Sequence, residues 1–206
     1  MCGRYHLDME GQNSAALAIL REASRRQKLL TGQETLAGGE VFPGQVVAAL
    51  AVGKKGQGAF PMRWGFSRPG GSGLLINVRS ESALKKFETS MRSRRCLIPM
   101  SWYYEWQALD GGRNKLKYAI RPRQAGPAYL AGIYRYEEGE KLPVLSVLTR
   151  EAAPGIAFIH PRMPVILPES LRDAWLSADS DPTALLDQCE TDMECRMEEG
   201  IGCRGM

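Results

Sequence analysis

One segment of the chain reads as a long helix, and nearly everything after it reads as short strands. Residues 13–30 (NSAALAILREASRRQKLL) place apolar side chains at 16, 17, 19, 20 and 23 and again at 29 and 30, the spacing of one helical face, with Asn13 or Ser14 as N-cap. Downstream, 46–52, 74–78, 96–99, 117–121, 129–136 and 144–149 are short runs rich in β-branched and aromatic residues. The sequence GKKGQG after the first of them predicts a hairpin turn returning through 59–64. Only 81–87 and 171–176 read as further helices, both short. Strands do not alternate with crossover helices, which excludes a doubly wound sheet and predicts an α+β domain dominated by β structure. With 206 residues, 44% of them hydrophobic, the chain can build one sizeable core but not two full domains.

No run approaches the roughly 18 apolar residues of a membrane span. Arg4, His6, Asp8 and Glu10 stand where a signal peptide would be apolar, so a cytosolic protein with no membrane partner is expected. The five cysteines (Cys2, Cys96, Cys189, Cys195, Cys203) are odd in number and widely spread, as free thiols of a reducing compartment are. The spacing of the last three matches no zinc signature, and no metal is expected. Charge is divided along the chain. Residues 79–123 hold eleven basic against four acidic side chains, a balance of +7, and 169–206 hold ten acidic against three basic, a balance of −7. A basic middle is what a polyanion-binding face needs, and also what a merely solvated face looks like. The division drawn is a domain over 2–178 and an acidic, cysteine-containing appendage over 179–206, disordered in part.

Candidate chemistry starts at the second residue. The chain opens Met1-Cys2-Gly3-Arg4-Tyr5, and an initiator methionine is normally removed before a side chain this small, so Cys2 is the expected mature terminus. An N-terminal cysteine carries an α-amine of ordinary pKa about 7.7–8.0 and a thiol of about 8.5 on one carbon, both appreciably deprotonated near neutral pH. Toward an aldehyde, the amine condenses to an imine and the thiolate closes a thiazolidine ring. Toward an ester or amide, the thiolate attacks while the amine serves as base. Cysteine at position 2 is also common by chance.

Four clusters add side chains to this pair. His160, one of two histidines, lies in Ile159-His160-Pro161-Arg162-Met163-Pro164, where the prolines exclude a regular helix and predict a rigid extended loop. Such a loop suits a catalytic side chain and equally a structural hydrogen bond. Glu105 lies in Trp102-Tyr103-Tyr104-Glu105-Trp106, where apolar surroundings favour a protonated carboxyl and a general-acid role, the alternative being an ion pair with Arg94 or Arg95. Asn77-Val78-Arg79-Ser80-Glu81 ends an apolar stretch at a strand-to-helix junction. Asn77 can orient a substrate or the terminal amine there and Arg79 can meet a phosphate, although Asn and Ser also cap helices. Arg63-Trp64-Gly65-Phe66 sets aromatics beside a cation, a platform for single-stranded nucleic acid if exposed and ordinary core if buried.

In register, Cys2-Gly3-Arg4-Tyr5, Arg63-Trp64-Gly65, Asn77-Val78-Arg79-Ser80-Glu81, Arg95-Cys96-Leu97-Ile98-Pro99, Tyr104-Glu105-Trp106 and His160-Pro161-Arg162-Met163-Pro164-Val165 resemble the SOS-response-associated peptidase (SRAP) family. The resemblance runs from residue 2 to about 167. It implies a barrel-like core of mixed and antiparallel sheets with a few flanking helices, and a monomer of the bacterial cytosol or nucleoid that uses no cofactor. The partner it implies is single-stranded DNA containing abasic sites, captured as a thiazolidine by Cys2, with self-processing peptidase activity and a lyase side activity. By motif, Asn77 would hold the amine or the opened sugar, Glu105 would move protons, and His160 would help open the sugar. Arg4, Arg79 and Arg162 would lie along the DNA backbone, and Trp64 and Phe66 would line the channel or stack beside the lesion. The chain departs from the family's pattern at Val78, at Ser101-Trp102-Tyr103, at Gln107 and after Gly65. Two other readings are an N-terminal-nucleophile amidohydrolase of the class II glutamine amidotransferase type and a non-covalent single-stranded DNA-binding module.

Overall fold

A computed structural model of the chain describes residues 2–9, 14–68, 70–124 and 126–198. The strands, in chain order, are β1 (Tyr5–Leu7), β2 (Gly39–Val41), β3 (Val46–Gly53), β4 (Gly56–Trp64), β5 (Phe66–Ser67), β6 (Leu74–Leu75), β7 (Asn77–Arg79), β8 (Arg95–Met100), β9 (Trp102–Leu109), β10 (Asn114–Pro122), β11 (Ala128–Arg135), β12 (Val144–Glu151), β13 (Arg162–Pro164), β14 (Ile166–Leu167) and β15 (Met193–Met197). The helices are α1 (Ser14–Thr31), α2 (Ser80–Lys86), α3 (Glu88–Ser93), α4 (Arg172–Leu176) and α5 (Pro182–Leu186).

The hairpin expected from GKKGQG forms. Gly53 pairs with Gly56 across Lys54-Lys55, and Gly56 takes φ +101°, a conformation that a side chain would resist. From this hairpin the larger sheet closes on itself in the order β12, β4, β3, β8, β11 and back to β12, with only the β4–β12 joint parallel. This is the barrel-like core that the resemblance implied. A second, antiparallel sheet runs β15, β10, β9, β1, β2. Trp64, Trp175, Tyr5, Tyr103, Tyr129 and Phe66 are fully enclosed in the core.

Helix α1 lies against β3 and β4 and buries Ala16, Ile19, Leu20 and Ala23. Asn13, expected as its cap, lies outside the described residues. Leu29 and Leu30, which the spacing assigned to the same face, stand exposed. The buried position one turn beyond Ala23 belongs to Gln27, whose amide exchanges hydrogen bonds with Thr35, donating to Oγ1 at 2.8 Å and accepting from N–H at 3.1 Å. A polar side chain with both partners supplied costs little to bury.

The acidic segment read as an appendage is built into the fold over 179–198. Asp181 caps α5 by accepting the Thr183 N–H at 2.9 Å, with Pro182 in the first turn, and Leu185, Cys189 and Met193 are buried. Strand β15 then pairs along β10, matching Arg121 with Glu194 at 2.6 Å and Arg123 with Asp192 at 3.2 Å. The acids that make the segment look soluble are the complement of the basic strand beside it. Cys203 and the rest of 199–206 lie outside the described residues. No helix among the described residues is long and apolar enough to cross a membrane.

Candidate active site

Cys2 lies at the seam between the two sheets. From the second sheet, β1 pairs with β9 as Tyr5 opposite Tyr103, and the ladder continues through Tyr104 N–H to the Arg4 carbonyl at 2.9 Å. Extending that antiparallel register by two residues brings Gly3 opposite Glu105. From the barrel, β7 runs parallel to β12 with Asn77 beside Val147. Asn77 Nδ2 donates to the Cys2 carbonyl at 2.7 Å, a buried bond that ties the chain terminus to a strand 75 residues away. Asn77 Oδ1 is buried with no hydrogen-bond partner among the described residues.

The Cys2 side chain is 0% exposed, and its sulfur is 3.9 Å from the Arg4 carbonyl. Burial, and then the nearby charge of Glu105, push the thiol up to about 12. The expected population of thiolate near neutral pH is therefore absent while the site is closed. Burial, with Cys2 and Glu105 adding to it, also holds the Tyr103 hydroxyl well above its ordinary value.

Glu105 is 5% exposed on β9, and its Oε1 accepts the Trp106 N–H at 3.3 Å. Arg95 does not serve it. That guanidinium is buried and donates to the carbonyls of Trp175 at 2.6 Å, Met91 at 2.5 Å and Ser177, closing the ends of α3 and α4. Arg94 instead lies over the Tyr136 ring. The structure thus sets Glu105 near Cys2 and not in the alternative ion pair with Arg95.

His160 precedes β13, which pairs with the far half of β12 as Glu151 opposite Arg162. Strand β12 thus holds Asn77's strand on one edge and His160's on the other. The His160 Nδ1 is 3.0 Å from the Arg162 N–H and 3.1 Å from the Arg162 carbonyl. The N–H can donate to a neutral ring and the carbonyl can accept from a protonated one, so the loop can hold both states in one orientation.

The residues assigned to DNA divide. Arg79 is exposed at the end of β7. Arg4 pairs with Glu40 at 3.1 Å and stacks between the Phe42 and Trp106 rings, at 4.5 and 4.9 Å to the centroids. Arg162 meets Glu81 and the Thr149 carbonyl. Trp64 and Phe66 cannot stack on a base, because both are 0% exposed. The Trp64 indole donates to the Ile76 carbonyl at 3.0 Å and packs on Tyr5 at 5.6 Å, while Phe66 packs on Phe87 at 5.8 Å and under Arg135 at 4.4 Å. An aromatic that is not enclosed is Trp106, half-buried beside Arg4 on the face of β9 that also carries Trp102 and Tyr104. Its place was legible only once 102–109 is read as a strand with alternating faces.

No group of three His, Cys, Asp or Glu side chains among the described residues is placed to hold a metal ion. The family model described as SOS response associated peptidase (SRAP) matches residues 1–198. The chain is similar to the abasic site processing protein YoqW of Bacillus subtilis, 29% identical over 196 residues that cover 90% of this chain and 84% of that protein. It is also similar to the abasic site processing protein YedK of Escherichia coli, at 27% identity covering 85% of this chain and 79% of that protein. Among solved structures it resembles a phage-related protein of Bordetella bronchiseptica, with TM-score 0.70 and 23% identity over 96% of this chain and 94% of that one. A protein from Bacteroides thetaiotaomicron gives TM-score 0.74 at 18% identity, over 96% and 92%. At these identities the two structures establish the fold alone.

Proposed function

The chain belongs to the SOS response associated peptidase family, and from that membership we propose that it processes abasic sites in single-stranded DNA by capturing them on Cys2. The observation that carries the reading is the seam itself, where the Asn77 amide holds the Cys2 carbonyl at 2.7 Å and a buried carboxylate lies beside the thiol. Relatives named abasic site processing proteins supply the substrate class.

The chemistry requires removal of Met1, which exposes the Cys2 amine. The peptidase activity in this reading is that self-processing. The opened deoxyribose presents an aldehyde at C1′. The amine adds to it and water leaves, giving an imine, and the sulfur then adds to the same carbon. The thiol proton ends on the ring nitrogen, so the sum is aldehyde plus aminothiol giving thiazolidine plus water. Glu105 takes the proton from a thiol that does not ionise by itself and returns one to the departing oxygen, work for which burial near Cys2 suits it. His160, held in one orientation through both protonation states, moves the proton that opens the sugar ring. Asn77 fixes the terminal residue so that amine and sulfur address one carbon.

The test is a denaturing gel of the Met1-free protein with a single strand carrying one abasic site, beside the undamaged strand and Cys2→Ala. A shifted band is expected only with the damaged strand and intact Cys2. Absence of that band from protein whose Cys2 terminus is verified by mass would refute the reading.

A further inference from the structure

Phe158 stands two residues before His160, and its ring is 53% exposed. It is nevertheless held from the second sheet. Tyr118 of β10 meets it edge to face, with centroids 5.8 Å apart and planes at 88°. Tyr118 pairs directly opposite Glu105, so those two side chains project from the same face of the sheet. The Tyr118 hydroxyl donates to Gln107 Oε1 at 3.2 Å, which fixes the tip of the ring, and Gln107 is one of the positions where the chain departs from the family's pattern. On the other side of Tyr118, β15 sets the exposed Met197 opposite it. A single exposed apolar side chain is ordinary. Here three are neighbours across a loop and two strands, and the loop is the one that leads to His160. Phe158 therefore joins the barrel's part of the seam to the strand paired with Glu105, while keeping half of its ring open.

We propose that Phe158, backed by Tyr118, is the stacking surface for the nucleobase next to the abasic sugar. The proposal rests on the reading of the seam as the place of capture, because a strand whose baseless sugar lies at Cys2 brings its neighbouring nucleotide alongside the His160 loop. The base of that nucleotide is unpaired in a single strand, and an aromatic face is its natural partner. Trp64 and Phe66 cannot supply that face, since both are enclosed. Stacking on Phe158 holds the nucleotide beside the lesion, and so limits where the opened sugar can point its aldehyde. Every base has a π-face, so the contact requires that a neighbouring base be present and is indifferent to which base it is.

The experiment compares the Met1-free full chain with Phe158→Leu, which keeps an apolar contact for Tyr118, and Phe158→Tyr, which keeps the ring. Fluorescence anisotropy measures binding of single strands whose lesion is a tetrahydrofuran, a baseless sugar without an aldehyde, so that no capture occurs. One strand carries bases on both sides of the lesion, and two others lack the base on its 5′ or its 3′ side. Phe158→Leu should bind the first strand about fivefold or more weakly than the parent, and Phe158→Tyr within about twofold of it. Removing the base on one side only should abolish the difference between the parent and Phe158→Leu. With a true abasic strand at subsaturating protein, single-turnover capture should fall in Phe158→Leu by the same factor as binding. Equal binding of the first strand by the parent and Phe158→Leu would overturn the proposal. So would a loss of the same size on all three strands, which marks a damaged loop and not a lost stack. If the parent gave the expected binding pattern but captured no abasic sugar, the functional reading would fail and the stacking surface would stand. A parent protein that bound none of the strands would overturn both.

Discussion

Two regions of the molecule carry cations in similar density along the sequence and use them differently. Along β10, Arg121 and Arg123 face Glu194 and Asp192 of β15, and Lys117 meets Glu40 at 2.9 Å. At the β7–α2 junction, Arg79, Lys85 and Lys86 form no ion pair with the described residues. Two cations of the basic middle, Arg121 and Arg123, thus meet two acids of the last segment across one edge of a sheet. The acids differ in the same way. Asp192 lies exposed and Glu194 half-exposed on solvent-exposed arginines, where an ion pair is worth about 0–1 kcal/mol, whereas Glu105 is enclosed beside a thiol whose ionised form it disfavours. Charge on the flank is matched and screened. At the seam the proposed function has it act on a proton, and beside the seam the same proposal leaves it open for a polyanion.

The sharpest way to break this contrast is to neutralise one carboxylate from each region. Glu105→Gln should lower the single-turnover rate of abasic-strand capture by about 10²–10⁴, the range for losing a general acid–base. Glu194→Gln should leave the rate within about twofold, because its partner is a solvent-exposed arginine. Equal effects would mean that burial beside Cys2 confers nothing.

A smaller effect separates the cations. Arg79→Ala should weaken binding of an undamaged single strand by about five- to tenfold and reduce the salt slope by about 0.7, the signature of one lost phosphate contact. Arg121→Ala should change affinity by less than about twofold, since it removes a cation already matched by Glu194. Fluorescence anisotropy over a salt series measures both. If Arg121→Ala lost as much as Arg79→Ala, the β10 face would belong to the DNA path after all.

Local rules made part of this legible. The 3.6 period marked α1 to within a residue at its C-terminal end, and two glycines around Lys-Lys-Gly-Gln marked the β3–β4 hairpin. What escaped depends on partners distant in sequence. An arginine and two aromatics around Gly65 look alike whether exposed or buried, and Trp64 is buried because Tyr5 and Ile76 close over it. The ion-pair partner of Arg162, Glu81, lies 81 residues earlier and was not legible beside it. Strand β15 looked like solvent-loving tail because its acids make sense only beside β10. Within the site, Cys2, Asn77 and Glu105 were legible as residues, but the protonated state of the Cys2 thiol follows from enclosure, which residue type alone does not reveal.

The central claim is that one carbon of the abasic sugar becomes bonded to both the nitrogen and the sulfur of Cys2. Its most direct measurement is the accurate mass of the nuclease-trimmed adduct, formed without reductant, for the Met1-free protein and for a form that keeps one extra residue before Cys2. The account requires, in the Met1-free protein alone, an adduct equal to protein plus trimmed sugar phosphate less one water, with no free Cys2 thiol left to alkylate. An adduct formed equally well with the amine blocked, or one in which the Cys2 thiol still alkylates, would contradict it.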